Sequence, residues 1–184
     1  GPVSGVLFGS GKSLSPSIIS LKEYRNMLIE PELGFLVDKD IIQTIESRDS
    51  LGDFVSAVYP IIELPDVGFE NLSEVTVIDI ICTNAGAKKY IVGNKNLIEN
   101  LDLNNIKTRL YRDGKLISSG TSSEVMQGQK SALLWLINDL ISKNYEIKSG
   151  YILLTGSIGE AYKASQGQYM ADFGKLGKIY FEIR

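Results

Sequence analysis

The sequence predicts an α+β fold, with a mixed, mainly antiparallel, curled sheet and a few flanking helices. Stretches with strand character outnumber helical patterns, and the two kinds do not alternate regularly, which argues against a parallel sheet wound from β-α-β units. Gly156, Gly159, Gly167, Gly174 and Gly177 mark corners between the last apolar stretches, as expected where an antiparallel sheet curls or closes.

Taken in order, residues 3–20 are rich in Gly and Ser and read as a short strand followed by a loop. Residues 30–37 form a strand that Asp38-Lys39-Asp40 ends with turn residues. From 49 to 59, Leu51, Phe54, Val55 and Val58 fall at i, i+3, i+4 and i+7, a helical spacing that Ser47 or Asp49 would cap and Pro60 would stop. Residues 61–64 follow as a strand. Ser73, with Val75, Ile78 and Ile81, opens a second helix that ends near 84–86, although its β-branched content also fits a strand. Residues 89–92 read as a strand. Stretches 107–111 and 116–119 flank Arg112-Asp113-Gly114-Lys115, whose Asp-Gly pair is a hairpin signal. The clearest helix is 128–143, where Leu133, Leu134, Trp135, Ile137, Leu140 and Ile141 give an apolar face wide enough to be largely buried. Strands at 151–154, 169–173 and 178–183 complete the chain.

At 184 residues the chain is long enough for one sizeable core, and a single domain spanning 1–184 is expected. The formal net charge of −3 shows no basic excess, which disfavours nucleic acid as a partner. No stretch approaches the roughly 18 apolar residues of a membrane span, so no membrane partner is expected, and no signal sequence opens the chain. Localisation is cytoplasmic by default, with an exported mature form left open. Gly1-Pro2 reads as a tag remnant, with native sequence beginning near Val3 and more preceding it. The lone Cys82, inside an apolar run, reads as a small core residue. The absence of histidine removes Ser-His-Asp and Cys-His catalysis and His-ligated zinc, leaving carboxylates, lysines, hydroxyls or a metal.

The carboxylates are the informative part. Glu30-Pro31-Glu32 stands directly before Leu33-Gly34-Phe35-Leu36-Val37, and in a strand residues i and i+2 lie on one face about 7 Å apart, within reach of one hard divalent ion. Glu63 interrupts the apolar Ile61-Ile62-Glu63-Leu64 and supplies the third acid, since a carboxylate buried there unpaired is costly. An isolated Glu-x-Glu would ordinarily be the solvated face of a strand. Two other motifs fail on register. Gly11-Lys12-Ser13 resembles the tail of a phosphate-binding loop, but Val6 stands where its first glycine belongs and Ser15-Pro16 interrupts the helix that should follow. Gly156-Ser157-Ile158-Gly159 has its serine one position early for a nucleophile elbow, so Ser157 reads as part of a turn or binding loop.

The order of these segments resembles the fumarylacetoacetate hydrolase superfamily, and within it the 2-keto-4-pentenoate hydratase and 4-oxalocrotonate decarboxylase-like branch. The residues that carry the resemblance are Glu30 to Leu36, Ile61 to Asp66, Leu153-Leu154-Thr155-Gly156-Ser157 and Gly167 to Gly177, with Asn84-Ala85, Gly93 and the helix after Gly128 in the expected order. The resemblance implies a β-roll in which Glu30, Glu32 and Glu63 hold Mg²⁺ or Mn²⁺. It implies a hydratase or decarboxylase acting on small 2-oxo or 2-hydroxydienoic acids through a metal-stabilised enolate, and a homo-oligomer. Thr155, Gly156 and Ser157 are the candidates for contacts to the substrate carboxylate. No catalytic proton-transfer residue is assigned. Gly9 stands where the branch shows an aspartate, Gly68 where it often shows an arginine, and Gly128-Gln129-Lys130 where Gly-Asn-Pro is expected; the lysine of the family's N-terminal segment lies outside this sequence. These departures leave open an alternative, a catalytically impaired or repurposed member that binds a small dicarboxylate or a protein partner through the same pocket.

Overall fold

The computed structural model describes residues 1–69, 71–99 and 101–184. Its strands are β1 (Lys12–Leu14), β2 (Ser17–Ile19), β3 (Leu28–Val37), β4 (Val55–Leu64), β5 (Lys89–Val92), β6 (Asn96–Leu97), β7 (Lys107–Arg112), β8 (Lys115–Thr121), β9 (Ile152–Leu154), β10 (Tyr162–Lys163), β11 (Gly167–Asp172) and β12 (Lys178–Ile183). The α-helices are α1 (Val77–Cys82) and α2 (Gln129–Ser142). One sheet runs β1-β5-β4-β3-β10, with β6 also on β4 and β9 also on β3; the other runs β2-β12-β11-β7-β8. Among the described residues only the β1–β5 and β12–β2 ladders are parallel. The fold is therefore α+β with two mixed, mainly antiparallel sheets, and among the described residues neither closes on itself.

The centre of the first sheet is the β3–β4 ladder, which pairs Glu30 with Glu63, Glu32 with Ile61 and Leu33 with Pro60. Alternation then sorts the side chains onto two faces. Leu33 and Phe35 of β3 and Ile62 and Leu64 of β4 join Leu110, Tyr169, Ile179 and Phe181 of the second sheet and Leu133 and Ile137 of α2 in one core cluster. Tyr169 and Phe181, register partners, stack at 4.9 Å. The other face of β3 and β4 carries the acids and a second, smaller cluster of Ile61, Tyr90 and Val92, against which Leu7, Tyr59, Ile152 and Leu154 pack.

The helix expected over 49–59 is a correction. Arg48–Asp53 forms a 3-10 turn that Ser47 caps, and the chain then enters β4, so Val55 and Val58 are strand residues. The strand is buried on both faces, which removes the period-two alternation and leaves a pattern that imitates helical spacing. Pro60 lies inside this strand instead of ending a helix. Its missing donor falls in the gap between β5, which pairs with residues 61–64, and β6, which pairs with 57–58, while its carbonyl accepts from Gly93 N. Pro31 uses the same device on β3, between β9 and β10, where its carbonyl accepts from Ile158 N.

The second helix is shorter than expected. α1 begins at a Thr76–Asp79 capping box and buries none of its residues. Cys82 is exposed, so its placement in the core is also a correction: the apolar run lies on a surface helix with Val77, Ile78 and Ile81 exposed. Helix α2 falls where the spacing predicts, but only Gln129, Ala132, Leu133 and Ile137 are buried, and Leu134, Trp135, Leu140 and Ile141 are half-buried. The hairpin forms as expected, with Asp113 and Gly114 at φ 50° and 79°. Residues 3–20 hold β1 and β2, one strand for each sheet, where one was expected; three-residue strands leave no periodicity to read.

Candidate metal centre

Strand pairing assembles the site. Glu30 and Glu32 share a face of β3 because they are two residues apart, and the β3–β4 register sets Glu63 directly opposite Glu30. One carboxylate oxygen from each of the three lies within 4.8 Å of the others. Glu32 is 2% exposed, and Glu30 and Glu63 are half-buried. Neither proline disturbs this arrangement, because each turns its missing donor away from the β3–β4 ladder.

Three converging acids at such depth repel one another. Burial, and then the nearby Glu63 charge, pushes Glu30 up to about 7. Burial likewise drives Glu32 well above the usual carboxylate range, reinforced by Glu63 and Glu30 and opposed by the Gly156 N–H. Glu63 is raised by burial, and a hydrogen bond to Glu32 pulls the other way. Among the described residues no ion pair includes any of the three. A hard, all-oxygen donor set without a protein cation fits Mg²⁺ or another hard divalent ion, which neutralises the charges and keeps open positions for water or a chelating ligand.

The loop after β9 closes one side. Gly156, at φ 105°, donates its N–H to Glu32 Oε2 at 2.9 Å, an anion contact that a left-handed glycine permits. Thr155 is buried; its Oγ1 lies 2.5 Å from Gln129 Oε1 and 3.2 Å from the Leu33 carbonyl, so its hydroxyl proton is used inside the protein. Ser157 Oγ donates to the Gly159 carbonyl at 3.3 Å. Thus Gly156 touches the acid trio directly, Thr155 stands one residue away with an internal bond, and Ser157 has no described bond to the acids.

Gln129 emerges only from the structure. Fully buried at the start of α2, it donates from Nε2 to the Ser122 carbonyl at 2.8 Å and accepts from Thr155, which ties the loop to the helix. In the sequence it stands only as the residue in place of the Asn of the expected Gly-Asn-Pro, at the start of an amphipathic helix. Two open clefts of about 500 and 550 Å³ lie elsewhere, around Lys88 and along α2 beside Trp135. In the first, Lys88 already bonds Asp66 at 3.1 Å and covers the Tyr24 ring at 4.3 Å, so its charge is matched internally. The converging acids mark the chemistry more strongly than cleft size.

No protein-family model matches the chain. Individual proteins do. The chain is 28% identical over 158 residues to 2-oxo-hept-4-ene-1,7-dioate hydratase of Escherichia coli, covering 82% of this chain and 59% of that protein. It is 26% identical over 187 residues to 2-keto-4-pentenoate hydratase of Paraburkholderia phymatum, covering 97% and 68%. The chain thus spans about three fifths to two thirds of these relatives' length. Among solved structures, 4-oxalocrotonate decarboxylase from Pseudomonas putida G7, complexed with magnesium and adipate, superposes at a TM-score of 0.91 with 20% identity, over 98% of this chain and 69% of that one. The same enzyme complexed with calcium and acetate gives 0.88 with 19% identity, over 98% and 68%. In sequence, then, the chain resembles the 2-keto-4-pentenoate hydratase group, and its fold is that of the 4-oxalocrotonate decarboxylase structures.

Proposed function

We propose that residues 1–184 form one catalytic domain, in the β-roll arrangement, of a divalent-metal-dependent lyase. It hydrates or decarboxylates small 2-oxo or 2-hydroxydienoic acids. The observation that carries this reading is the convergence of the Glu30, Glu32 and Glu63 carboxylates with no ion pair to any of them among the described residues. The names of the relatives, and the magnesium and calcium bound by the decarboxylase, support the same class.

Glu30, Glu32 and Glu63 would hold Mg²⁺ or Mn²⁺. When bound, the ion supplies Lewis acidity and a template for a 2-oxo acid's carboxylate and adjacent oxygen. The protein's own part is orientation. Gly156 N–H fixes Glu32, Gln129 and Thr155 hold the loop that carries it, and Leu7, Tyr59 and Leu154 pack against the small apolar cluster on the same face of the sheet. Thr155, Gly156 and Ser157 border the place where the substrate carboxylate would enter. A homo-oligomer, cytoplasmic by default with an exported mature form left open, completes the reading.

A second reading, binding of a small dicarboxylate or a protein partner without turnover, draws on one observation: no described lysine or arginine influences the titration of the trio. One pair of measurements decides. Millimolar Mg²⁺ should raise the thermal midpoint, and Glu63→Ala should abolish the rise. Ultraviolet absorbance with 2-hydroxypenta-2,4-dienoate should then show metal-dependent turnover. A metal-dependent shift without turnover of any 2-oxo acid would favour the binder, and no shift at all would overturn both.

A further inference from the structure

Register across the first sheet sets a cation in line with the acid trio. Lys12 on β1 pairs with Tyr90 on β5, Tyr90 pairs with Glu63 on β4, and Glu63 pairs with Glu30 on β3. Register partners point to the same face of a sheet, so the four side chains form one row on the face that carries the acids. Adjacent strands lie about 4.8 Å apart, which places the Lys12 backbone about 10 Å from that of Glu63, with one aromatic ring between them. The intervening Ser13 faces the other way, opposite the core residue Ile91.

Lys12 is exposed and forms no ion pair with a described residue. Tyr90, the spacer between the ends of the row, is a buried ring of the smaller apolar cluster. The face is open at this end, where Leu14, the next β1 residue on the same side, is 64% exposed.

We infer that Lys12 is a specificity residue that receives the second carboxylate of a diacid whose 2-oxo acid end sits at Glu30, Glu32 and Glu63. The substrate class is therefore a 2-oxo dicarboxylic acid, with its hydrocarbon segment lying over Tyr90. This assignment rests on the metal-dependent reading above and narrows it. An edge-strand lysine that only blocked strand addition would have no influence on which acid binds.

The test measures the affinity of 2-oxoadipate and 2-oxohexanoate for this chain by calorimetry at saturating Mg²⁺. The two share the chelating end and differ in the distal carboxylate. The diacid should bind about three- to tenfold tighter, the range of a partly exposed charge-assisted contact, and the preference should shrink as salt is raised. Lys12→Met should remove the preference while leaving 2-oxohexanoate affinity and the Mg²⁺ thermal shift unchanged, and Lys12→Arg should keep it. Equal affinities in the wild type, or a preference that survives in Lys12→Met, would overturn this assignment alone. Failure of either acid to bind when Mg²⁺ is present would overturn the metal reading and the assignment with it.

Discussion

Glu32 is the residue on which stability and function pull apart. It is 2% exposed, faces two other carboxylates, and has the Gly156 N–H as its main compensation. Without metal the cluster should destabilise the fold at neutral pH, because a charge buried beside like charges is unfavourable. Glu32→Gln keeps the shape and the acceptor for Gly156 while removing a charge. It is expected to raise the metal-free unfolding free energy at pH 8 by about 1–3 kcal/mol and to abolish stabilisation by Mg²⁺. A metal-free variant less stable than the wild type would contradict the electrostatic account.

The pH dependence has a definite sign. Glu30 titrates near its ordinary 4.5 when unfolded and near 7 when folded, so between these values the folded state holds the extra proton. Its contribution to stability is full below 4.5 and is lost as pH rises toward 7. Glu32 and Glu63, also raised, act in the same direction. Asp66 and Asp139 are lowered, by backbone and Lys88 hydrogen bonds at Asp66 and by Lys143 and Ser4 at Asp139, so their contributions are lost only at the acid end. Metal-free protein should therefore melt progressively lower from pH 5 toward 7, while the increment given by Mg²⁺ grows over the same window as the ligands ionise. Melting curves with and without Mg²⁺ measure both trends, and a Mg²⁺ increment independent of pH would count against raised carboxylates in the site.

At the scale of elements, the loop after β9 also lies close against the backbone of β8. A Cβ on Gly120 of β8 would meet Gly159 N at 2.6 Å and Gly159 Cα at 2.8 Å, both backbone atoms. Gly120→Ala should therefore displace the loop that presents Gly156 to Glu32, costing about 1–3 kcal/mol in stability and weakening Mg²⁺ binding severalfold. Stability is read by urea midpoint and binding by calorimetry. Gln129→Ala should act from the helix side, leaving the Ser122 carbonyl and Thr155 hydroxyl without their partner, at about 1–3 kcal/mol. A loss of stability with unaltered Mg²⁺ affinity in both variants would show that the loop does not position Glu32.

The elements also show what could be read beforehand. Strand β3, the hairpin of β7 and β8, helix α2 and the last strands fall where spacing and turn chemistry put them, because each is long enough to show its period or carries a diagnostic turn. Strand β4 was misread in its first half, because burial on both faces erases alternation. Cys82 was misplaced because an apolar run does not reveal whether the rest of the fold covers it, and around α1 it does not.

For the whole molecule, two sheets share one core, and the first sheet turns its other face to the site. Metal bound only by the folded state should stabilise the molecule as a whole, by about 2.7 kcal/mol at a free concentration one hundred times Kd. The urea midpoint should rise with an unchanged slope, since the surface exposed on unfolding is the same. A changed slope would indicate that the metal orders a segment that is loose without it.

From residue types and strand period alone followed the predominance of strands, the exclusion of histidine chemistry, and the pairing of Glu30 with Glu32 on one face, since these depend on composition and on a period of two. Tertiary structure decided that Glu63 faces Glu30, that Gln129 and Gly156 brace the site, and that Lys12 lies in the same row as the acids. The reason is that inter-strand register and loop docking are set by contacts between residues far apart in the chain, which no local period encodes.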